Sequence, residues 1–221
     1  YNSFEERALI QAVSDNSDVP GVVVGVGSEI QTAPEPGRFR QTTGIGGPVL
    51  IYIGRIDKNK GCSELFDYFQ RYARLSPDLT LVLIGKAVMP IPDHPQIRHL
   101  GFVTDRQKFD ALAAAELLVM PSYYESLSMV TLEAWALGRP VLVNGRCDVL
   151  CGQSIRSNAG LFYNNYEEFA ETLHAILSNR TLRSTLGRNG QAYFNEHYSW
   201  PVIEQKYLDV LDRLEHENTV L

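Results

Sequence analysis

The chain has little of what disulfide-bonded or zinc-binding proteins need. Its 221 residues include 3 cysteines, and an odd count without tight spacing argues against a disulfide framework. Cys147 and Cys151 could face each other on a helix, but we expect reduced thiols. The 5 histidines are scattered, and none joins a cysteine at zinc-site spacing. No metal site is therefore expected.

Long apolar runs and an excess of positive charge are also lacking. No run of about 18 apolar residues is present, and no signal peptide is recognised. We therefore expect a cytoplasmic protein, with peripheral contact at the inner membrane left open. The formal net charge is −6, so no broad basic surface would attract a nucleic acid.

What is present is a regular alternation of apolar strands and amphipathic helices. At 44% hydrophobic residues, the chain can form one large α/β domain, or one domain plus a fragment. The strands are expected at 49–53, 79–84, 98–103, 117–120, 140–143 and 159–163, and helices at 105–115, 128–137, 166–178, 180–196, 200–216 and around 65–73. This alternation predicts an α/β fold with a doubly wound, mostly parallel, Rossmann-like sheet.

The N-terminal segment is less regular. A short helix is expected over 4–13, and a strand over 21–27 that ends in a glycine turn. Gly25 and Gly27 begin a dinucleotide fingerprint, but Ile30 stands where its third glycine belongs, so we reject that motif. Prolines and glycines over 31–47 predict a linker. Because the chain starts at Tyr1, we expect a piece of a longer protein.

The turn after the strand 117–120 carries the first candidate site. Ser126 and Ser128 are favourable N-cap residues for the helix that follows. The free amides of a helix N-terminus bind anions, and Glu125 and Glu133 could accept hydroxyl hydrogens beside the anion. This arrangement suits a phosphate-linked polyol such as a nucleotide-sugar. The alternative is that the two glutamates have no ligand, and that one interacts with the helix dipole while the other lies on a solvent-exposed helix face.

A basic loop after the first buried strand is the second candidate site. Gly54 and Gly61 allow close backbone approach, while Arg55 and Lys60 offer charge to phosphate oxygens. The alternative is a solvated basic loop, and the loop is not a Walker A motif. Both loops follow strands of one parallel sheet, so we expect them at the same sheet edge.

Together the two motifs resemble a known enzyme family. G-R-x-D-x-x-K-G over 54–61 and E-S-L-S-M-V-T-L-E-A over 125–134 are similar to the E-x7-E retaining glycosyltransferases, family 4 of the GT-B fold. The segments 138–141 and 160–162 also fit. The resemblance covers about 49–214 and implies the C-terminal half of a GT-B fold.

The resemblance implies a role for each matching residue. Arg55 and Lys60 would bind the donor diphosphate, and Glu125 would hold hydroxyls of the donor sugar; these three form the catalytic set. Glu133 would bind the ribose hydroxyls. The remaining donor-binding positions would be Gly54, Phe102, Val103, Ser126, Leu127, Ser128, Met129 and Val130. No cofactor and no metal is implied.

The resemblance also implies a division of the chain. Residues 1–47 would be the tail of an N-terminal acceptor domain plus linker, and 48–199 the nucleotide-sugar-binding domain. Residues 200–221 would form a helix that packs back toward the N-terminal domain. The expected partners are a UDP- or GDP-sugar, a glycan or lipid-linked acceptor, and that N-terminal domain. A GT-B-like epimerase and a non-catalytic nucleotide-sugar-binding module remain alternatives, whereas no lysine context favours a phosphorylase.

Overall fold

The computed structural model describes the backbone of residues 1–219 and the side chains of residues 1–215. The strands are β1 (Val49–Ile53), β2 (Thr80–Ile84), β3 (Ile97–His99), β4 (Leu117–Met120), β5 (Val141–Asn144) and β6 (Gly160–Tyr163). The helices are α1 (Phe4–Ser14), α2 (Pro36–Thr43), α3 (Cys62–Ala73), α4 (Asp105–Ala114), α5 (Met129–Ala136), α6 (Asp148–Ser157), α7 (Tyr166–Ser178), α8 (Arg180–His197) and α9 (Trp200–Thr219).

The six strands form one sheet in the order β3-β2-β1-β4-β5-β6, and all neighbouring pairs are parallel. Strand β1 is central, because Leu50 pairs with Leu81 of β2 on one side and Leu117 of β4 on the other. The chain crosses from edge strand β3 back to β4, which places the topological switch point between β1 and β4. The predicted Rossmann-like sheet is confirmed.

Both faces of the sheet are buried, and successive side chains of β1 point to opposite faces. Ile51 joins the core cluster under α4, α5 and α6, while Leu50 and Tyr52 join the cluster under α3 and α7. These β1 side chains are at most 1% exposed. Burial on both faces explains why the strand reads as a continuous apolar run.

The predicted strand at 21–27 is wrong. This segment has no regular strand structure and is held by backbone hydrogen bonds to Tyr1, whose carbonyl accepts from Val24 and Gly25 at 3.1 Å each. Within residues 1–219, no strand of the sheet lies beside it to form a ladder. A run of valines predicts a strand only if another strand is available to pair with it.

The expected linker at 31–47 contains helix α2. Pro36 occupies the first helical turn and Gly44 closes the helix in a left-handed conformation, so the proline and glycine mark helix ends. Phe39 of α2 is buried, and Arg38 forms an ion pair with Asp110 of α4. The segment therefore packs on the domain. A boundary at residue 47 stays a prediction.

Helices α6 and α9 differ in how well the sequence predicts them. Helix α6 is not predicted from the sequence; the spacing of Cys147 and Cys151 is only compatible with a helix there. Helix α9 follows its predicted position, and residues 220 and 221 of the predicted C-terminal segment lie outside the described residues. Among the residues described, no helix is both long and apolar enough to cross a membrane.

Candidate functional site

Two loops meet at the carboxyl edge of the sheet, one after β1 and one after β4. Gly61 ends the first loop with φ +71°, and a Cβ on it would collide with the carbonyl oxygen of Pro121 in the second. Glycine has no Cβ and tolerates this conformation, so it permits the close approach. The β1–α3 loop therefore lies directly against the β4–α5 loop. The expectation that both candidate loops share one sheet edge is met.

Lys60 and Glu125 are joined by this loop contact. Nζ of Lys60 lies 2.7 Å from Oε1 of Glu125, and the side chains are 32% and 13% exposed. The ammonium and the carboxylate therefore form a partly desolvated ion pair, which is stronger than an exposed one. An anion entering here would meet a lysine whose charge is already shared with a carboxylate.

Arg55 is not drawn into that pair. Its Nε lies 2.9 Å from Oδ2 of Asp57, and its side chain is 56% exposed. Its backbone carbonyl accepts a hydrogen bond of 2.7 Å from the hydroxyl of Tyr52, and burial raises the pKa of that hydroxyl well above its ordinary value. The backbone of Gly54–Arg55 is thus fixed, while the guanidinium stands at the margin of the site.

The start of α5 differs from the predicted serine cap. Ser128 occupies the N-cap position with φ +69°, and its side chain makes no capping hydrogen bond. Its Oγ instead lies 2.9 Å from Oγ1 of Thr131. Ser126 lies exposed before the helix. The first turn of α5 is therefore not closed by its own cap residue.

The neighbouring donor-binding candidates divide by burial. Leu127 is 3% exposed and packs in the core, and Val130 packs against the same core. Met129 is 38% exposed. At Leu127 the side chain is thus committed to packing, and a ligand could use only its backbone.

Glu133, on the second turn of α5, is 14% exposed and accepts a 2.8 Å hydrogen bond from Nζ of Lys108 on α4. Burial raises the pKa of Glu133, while the hydrogen bond and charge of Lys108 oppose that rise. The expectation that a carboxylate on this apolar helix would need a partner is confirmed. Sequence reasoning did not identify the partner.

Phe102 and Val103 lie in the turn between β3 and α4. Phe102 is 92% exposed, whereas Val103 packs against the core and lines a cavity of about 290 Å³ together with Arg38, Phe39 and Asp110. Neither residue lines the cavity that contains Lys60 and Glu125. Their proposed position against a nucleobase stays a prediction.

A larger cavity of about 650 Å³ opens over the Lys60–Glu125 pair. Its walls come from α1, from the loops after β1, β4 and β5, and from the start of α6, and they include Glu6, Leu9, Tyr124, Ser126, Arg146 and Asp148. Helix α1 is tied to this wall through Arg156 of α6, whose Nη1 lies 2.5 Å from Oε1 of Glu5. The N-terminal helix therefore forms part of the candidate site.

Arg146 organises the cavity wall and was missed by the sequence reasoning. Its Nε donates to Oδ1 of Asn144 at 3.1 Å, its Nη2 forms an ion pair with Glu64, and its guanidinium lies 4.9 Å from the ring centroid of Tyr123. Asn144, fully buried, donates to the Pro121 carbonyl at 3.0 Å. A usable signal existed, since Asn144 ends a buried strand at the same sheet edge as the other two loops.

The cysteine side chains are buried or half-buried. Cys147 lies buried in the cavity wall, and burial raises its pKa, which disfavours the thiolate. All three cysteines are free. Across the described residues, no group of three or more His, Cys, Asp or Glu side chains could hold a metal ion.

Several named proteins are similar to this chain in sequence. Mannosylfructose-phosphate synthase of Agrobacterium fabrum is 26% identical over 193 residues, covering 79% of this chain and 42% of that protein. The lipopolysaccharide core biosynthesis glycosyltransferase LpsE of Rhizobium meliloti is 29% identical over 185 residues, covering 79% of this chain and 52% of that protein. The chain thus spans about half the length of these relatives.

Solved structures share the fold. Anabaena HepE, solved in complex with UDP-glucose, superposes with a TM-score of 0.81 at 20% identity, covering 96% of this chain and 62% of that one. At this identity the likeness establishes the fold alone. The family model described as glycosyl transferases group 1 matches residues 47–179, which is more than half of the chain. The chain therefore belongs to the group 1 glycosyl transferases.

Proposed function

We propose that this chain is the donor-binding part of a retaining glycosyltransferase of family 4, the C-terminal half of a GT-B enzyme. It would hold a nucleotide-sugar while the sugar passes to a glycan or lipid-linked acceptor. The observation that carries the proposal is the 2.7 Å contact between Lys60 and Glu125. In this contact, a lysine that would bind the diphosphate lies beside a carboxylate that would accept sugar hydroxyls, at the topological switch point where α/β sheets bind ligands.

The donor would lie along the sheet edge from the 650 Å³ cavity toward α4. Its sugar would meet Glu125, and its diphosphate would meet Lys60 and the first amides of α5, with Gly54 letting the backbone approach. Arg55, now paired with Asp57 and 56% exposed, would turn toward the diphosphate when the donor binds. Its flexible, exposed side chain makes that reorientation inexpensive in free energy.

The ribose hydroxyls would be accepted by Glu133, and the nucleobase would lie against Phe102 and Val103. The 92% exposed ring of Phe102 supports this placement, because an exposed aromatic ring beside a site offers a stacking surface. A UDP-sugar is the first donor to test, since HepE was solved with UDP-glucose.

No metal and no cofactor enters the proposed chemistry. Lys60, Arg55 and the dipole of α5 would together stabilise the charge that develops on the departing diphosphate. A hydroxyl of the acceptor would attack the anomeric carbon from the face that the diphosphate leaves, so the configuration is retained. The bond from that carbon to the diphosphate would break as the new glycosidic bond forms, and a departing phosphate oxygen would take the proton of the hydroxyl. No protein nucleophile is assigned to this step.

The test is calorimetric titration of the chain with UDP, GDP, ADP and the matching nucleotide-sugars. We expect one nucleoside diphosphate to bind, and its affinity to fall by about tenfold or more when Arg55 or Glu133 is replaced by alanine, because each change removes a charge-assisted hydrogen bond. Leu75→Ala, at a residue that is 75% exposed and lines neither cavity, serves as the control and should leave the affinity unchanged.

Transfer is assayed separately, with the nucleotide-sugar that binds and a panel of glycan and lipid-linked acceptors. An anomeric product with the donor's configuration supports the proposal. An epimerised nucleotide-sugar without transfer would show an epimerase instead. Binding that is indifferent to Arg55→Ala and Glu133→Ala would contradict the assignment of the site.

A further inference from the structure

The ion pair between Lys108 and Glu133 joins the second glutamate of the 125–134 motif to a lysine that lies outside the motifs singled out in the sequence. Nζ of Lys108 lies 2.8 Å from Oε1 of Glu133 and 3.2 Å from Oδ1 of Asp105. The Lys108 and Glu133 side chains are only 19% and 14% exposed. Lys108 belongs to the first turns of α4, and Glu133 to the second turn of α5, so the pair bridges two helices that begin at the same sheet edge.

A buried ion pair contributes little net stability to the packing of two helices, because both charges must be desolvated. The desolvation free energy of a buried ion pair is larger than that of an exposed pair. Apolar residues of similar size therefore often stabilise a protein as well as a buried pair, or better. Asp105 is 67% exposed, so it does not share the burial. The geometry therefore points to a use for a carboxylate held in a fixed orientation.

The contact occupies one side of the carboxylate. In the described part of the chain, Glu133 accepts its side-chain hydrogen bond from Lys108 through Oε1, which leaves Oε2 for another donor. A carboxylate that is fixed through one oxygen can accept a hydroxyl hydrogen on the other without first losing rotational freedom. Vicinal hydroxyls of a ribose are donors of that kind.

We propose that Lys108 is a positioning residue, which holds the Glu133 carboxylate as the acceptor for the ribose hydroxyls of a nucleoside diphosphate. This inference rests on the function proposed above. It adds that recognition of ribose against deoxyribose depends on a lysine of α4. Lys108 acts through Glu133 and does not itself touch the ribose.

The charges around Glu133 give this role a pH dependence. Lys108 and Asp105, both on α4, are the charged groups that act on Glu133 among the described residues; Lys108 lowers its pKa, and Asp105 and burial raise it. Without Lys108 the carboxyl would take up a proton at a higher pH. A protonated carboxyl is a poorer acceptor, so ribose recognition would be lost first on the acidic side.

The experiment measures UDP against 2′-deoxy-UDP and 3′-deoxy-UDP by calorimetry, with GDP and its deoxy analogues as a second set, between pH 5.5 and 8. We expect the unmodified chain to prefer the ribonucleotide by about 10- to 100-fold, as for a hydrogen bond to a charged group. Lys108→Met should reduce that preference to about twofold at the lowest pH and recover part of it at the highest. Lys108→Arg should keep most of it.

Two further variants separate positioning from simple loss of structure. If Lys108 acts through Glu133, Lys108→Met combined with Glu133→Gln should lose no more preference than Glu133→Gln alone. Lys206→Met is the control, because Lys206 is another part-buried lysine that bonds the backbone carbonyls of Val24 and His197. It should leave the preference unchanged, and thermal unfolding of each variant confirms that it is folded.

The outcomes for the inference and for the proposed function differ. If the unmodified chain prefers the ribonucleotide but Lys108→Met keeps the full preference at every pH, the inference is overturned and the proposed function stands. Additive losses in the double variant would overturn it as well. Failure of the unmodified chain to bind UDP or GDP would overturn both.

Discussion

Nζ of Lys60 lies 2.7 Å from Oε1 of Glu125, so two residues that are 65 positions apart in the chain form one ion pair at the sheet edge. In this state each charge neutralises the other. A diphosphate would compete with Glu125 for the lysine, and the carboxylate would then be released toward sugar hydroxyls. If the proposed function holds, the pair would couple binding of the diphosphate to binding of the sugar of a nucleotide-sugar.

This coupling predicts opposite behaviour for the two residues. Lys60→Met should weaken UDP binding by about tenfold or more, because a charge-assisted hydrogen bond to phosphate is lost. Glu125→Gln should leave UDP binding within about twofold, or strengthen it, because the lysine is released from its partner. It should weaken the additional affinity that the sugar of a UDP-sugar provides. Calorimetric titration of both variants with UDP and UDP-glucose measures these effects.

The control for Lys60 is Lys58→Met, an exposed lysine of the same loop. If loop charge in general attracts the diphosphate, the two methionine variants will weaken binding equally, and the specific role of Lys60 is refuted. In an assay of the proposed sugar transfer, Lys60→Met should lower kcat by about 100- to 1000-fold, as for the loss of one group that stabilises transition-state charge.

Gly61→Ala should separate the two loops. The alanine would have to adopt φ +71°, and its Cβ would collide with the Pro121 carbonyl. We expect the free energy of unfolding to fall by at least about 2 kcal/mol, since the left-handed conformation alone costs about 1–2 kcal/mol. Urea unfolding monitored by circular dichroism measures the change.

Gly37→Ala is the matched control for that substitution. Gly37 lies in α2 with nothing within 4 Å of an added Cβ, so alanine there should stabilise the chain by about 0.5–1 kcal/mol. A Gly61→Ala chain that is as stable as the unmodified one would mean that the loops can move apart freely. The fixed distance between Lys60 and Glu125 would then need another explanation.

The sheet could be predicted because its strands are buried on both faces. The runs at 49–53 and 117–120 are apolar at every position, so they have neither the periodicity of an amphipathic helix nor the polar side of a solvent-exposed strand. In the structure, both form strands at the centre of the sheet. The same rule failed at 21–27, because a strand also needs a neighbour, and the sequence does not show which segments will be adjacent. Local signals alone cannot supply that information.

Some features of the candidate site could likewise be predicted from the sequence, and others could not. Glycine-flanked loops after buried strands could be placed at one sheet edge, but the ion pair between Lys60 and Glu125 was not predicted. Lys108 could not be found that way, since it meets Glu133 across two helices, 25 positions apart. At Ser128 the cap rule failed because the backbone turns to φ +69°, and no rule based on residue type alone predicts that conformation.

Asp110 should make the stability of the chain dependent on pH. It is 2% exposed, and the hydrogen bond from Arg38 holds its pKa below the ordinary aspartate value. A carboxyl with a lowered pKa in the folded state stabilises the fold above its unfolded pKa, and that contribution is lost as the pH falls below about 4. Asp110→Asn should lower the melting temperature at pH 7 and lose this component of the acid dependence.

The matched control for Asp110 is Asp67→Asn. Its side chain is 66% exposed and lies 3.9 Å from Arg71, so the pair is screened and should contribute little. Melting temperatures between pH 3 and pH 7 measure both variants. Parallel curves for Asp110→Asn and the unmodified chain would show that the Arg38–Asp110 pair does not contribute to the acid response.

Asn144→Ala should loosen the cavity wall. Asn144 is fully buried, its Nδ2 donates to the Pro121 carbonyl at 3.0 Å, and its Oδ1 accepts from Nε of Arg146 at 3.1 Å. Its loss leaves a buried carbonyl unsatisfied, so the free energy of unfolding should fall by about 2–4 kcal/mol.

Asn189→Ala removes a similar bond of 2.8 Å to a backbone carbonyl, but an exposed one, and should cost less than about 1 kcal/mol because water replaces it. Urea unfolding compares the two, and equal losses would mean that burial of Asn144 adds nothing to the strength of its hydrogen bonds.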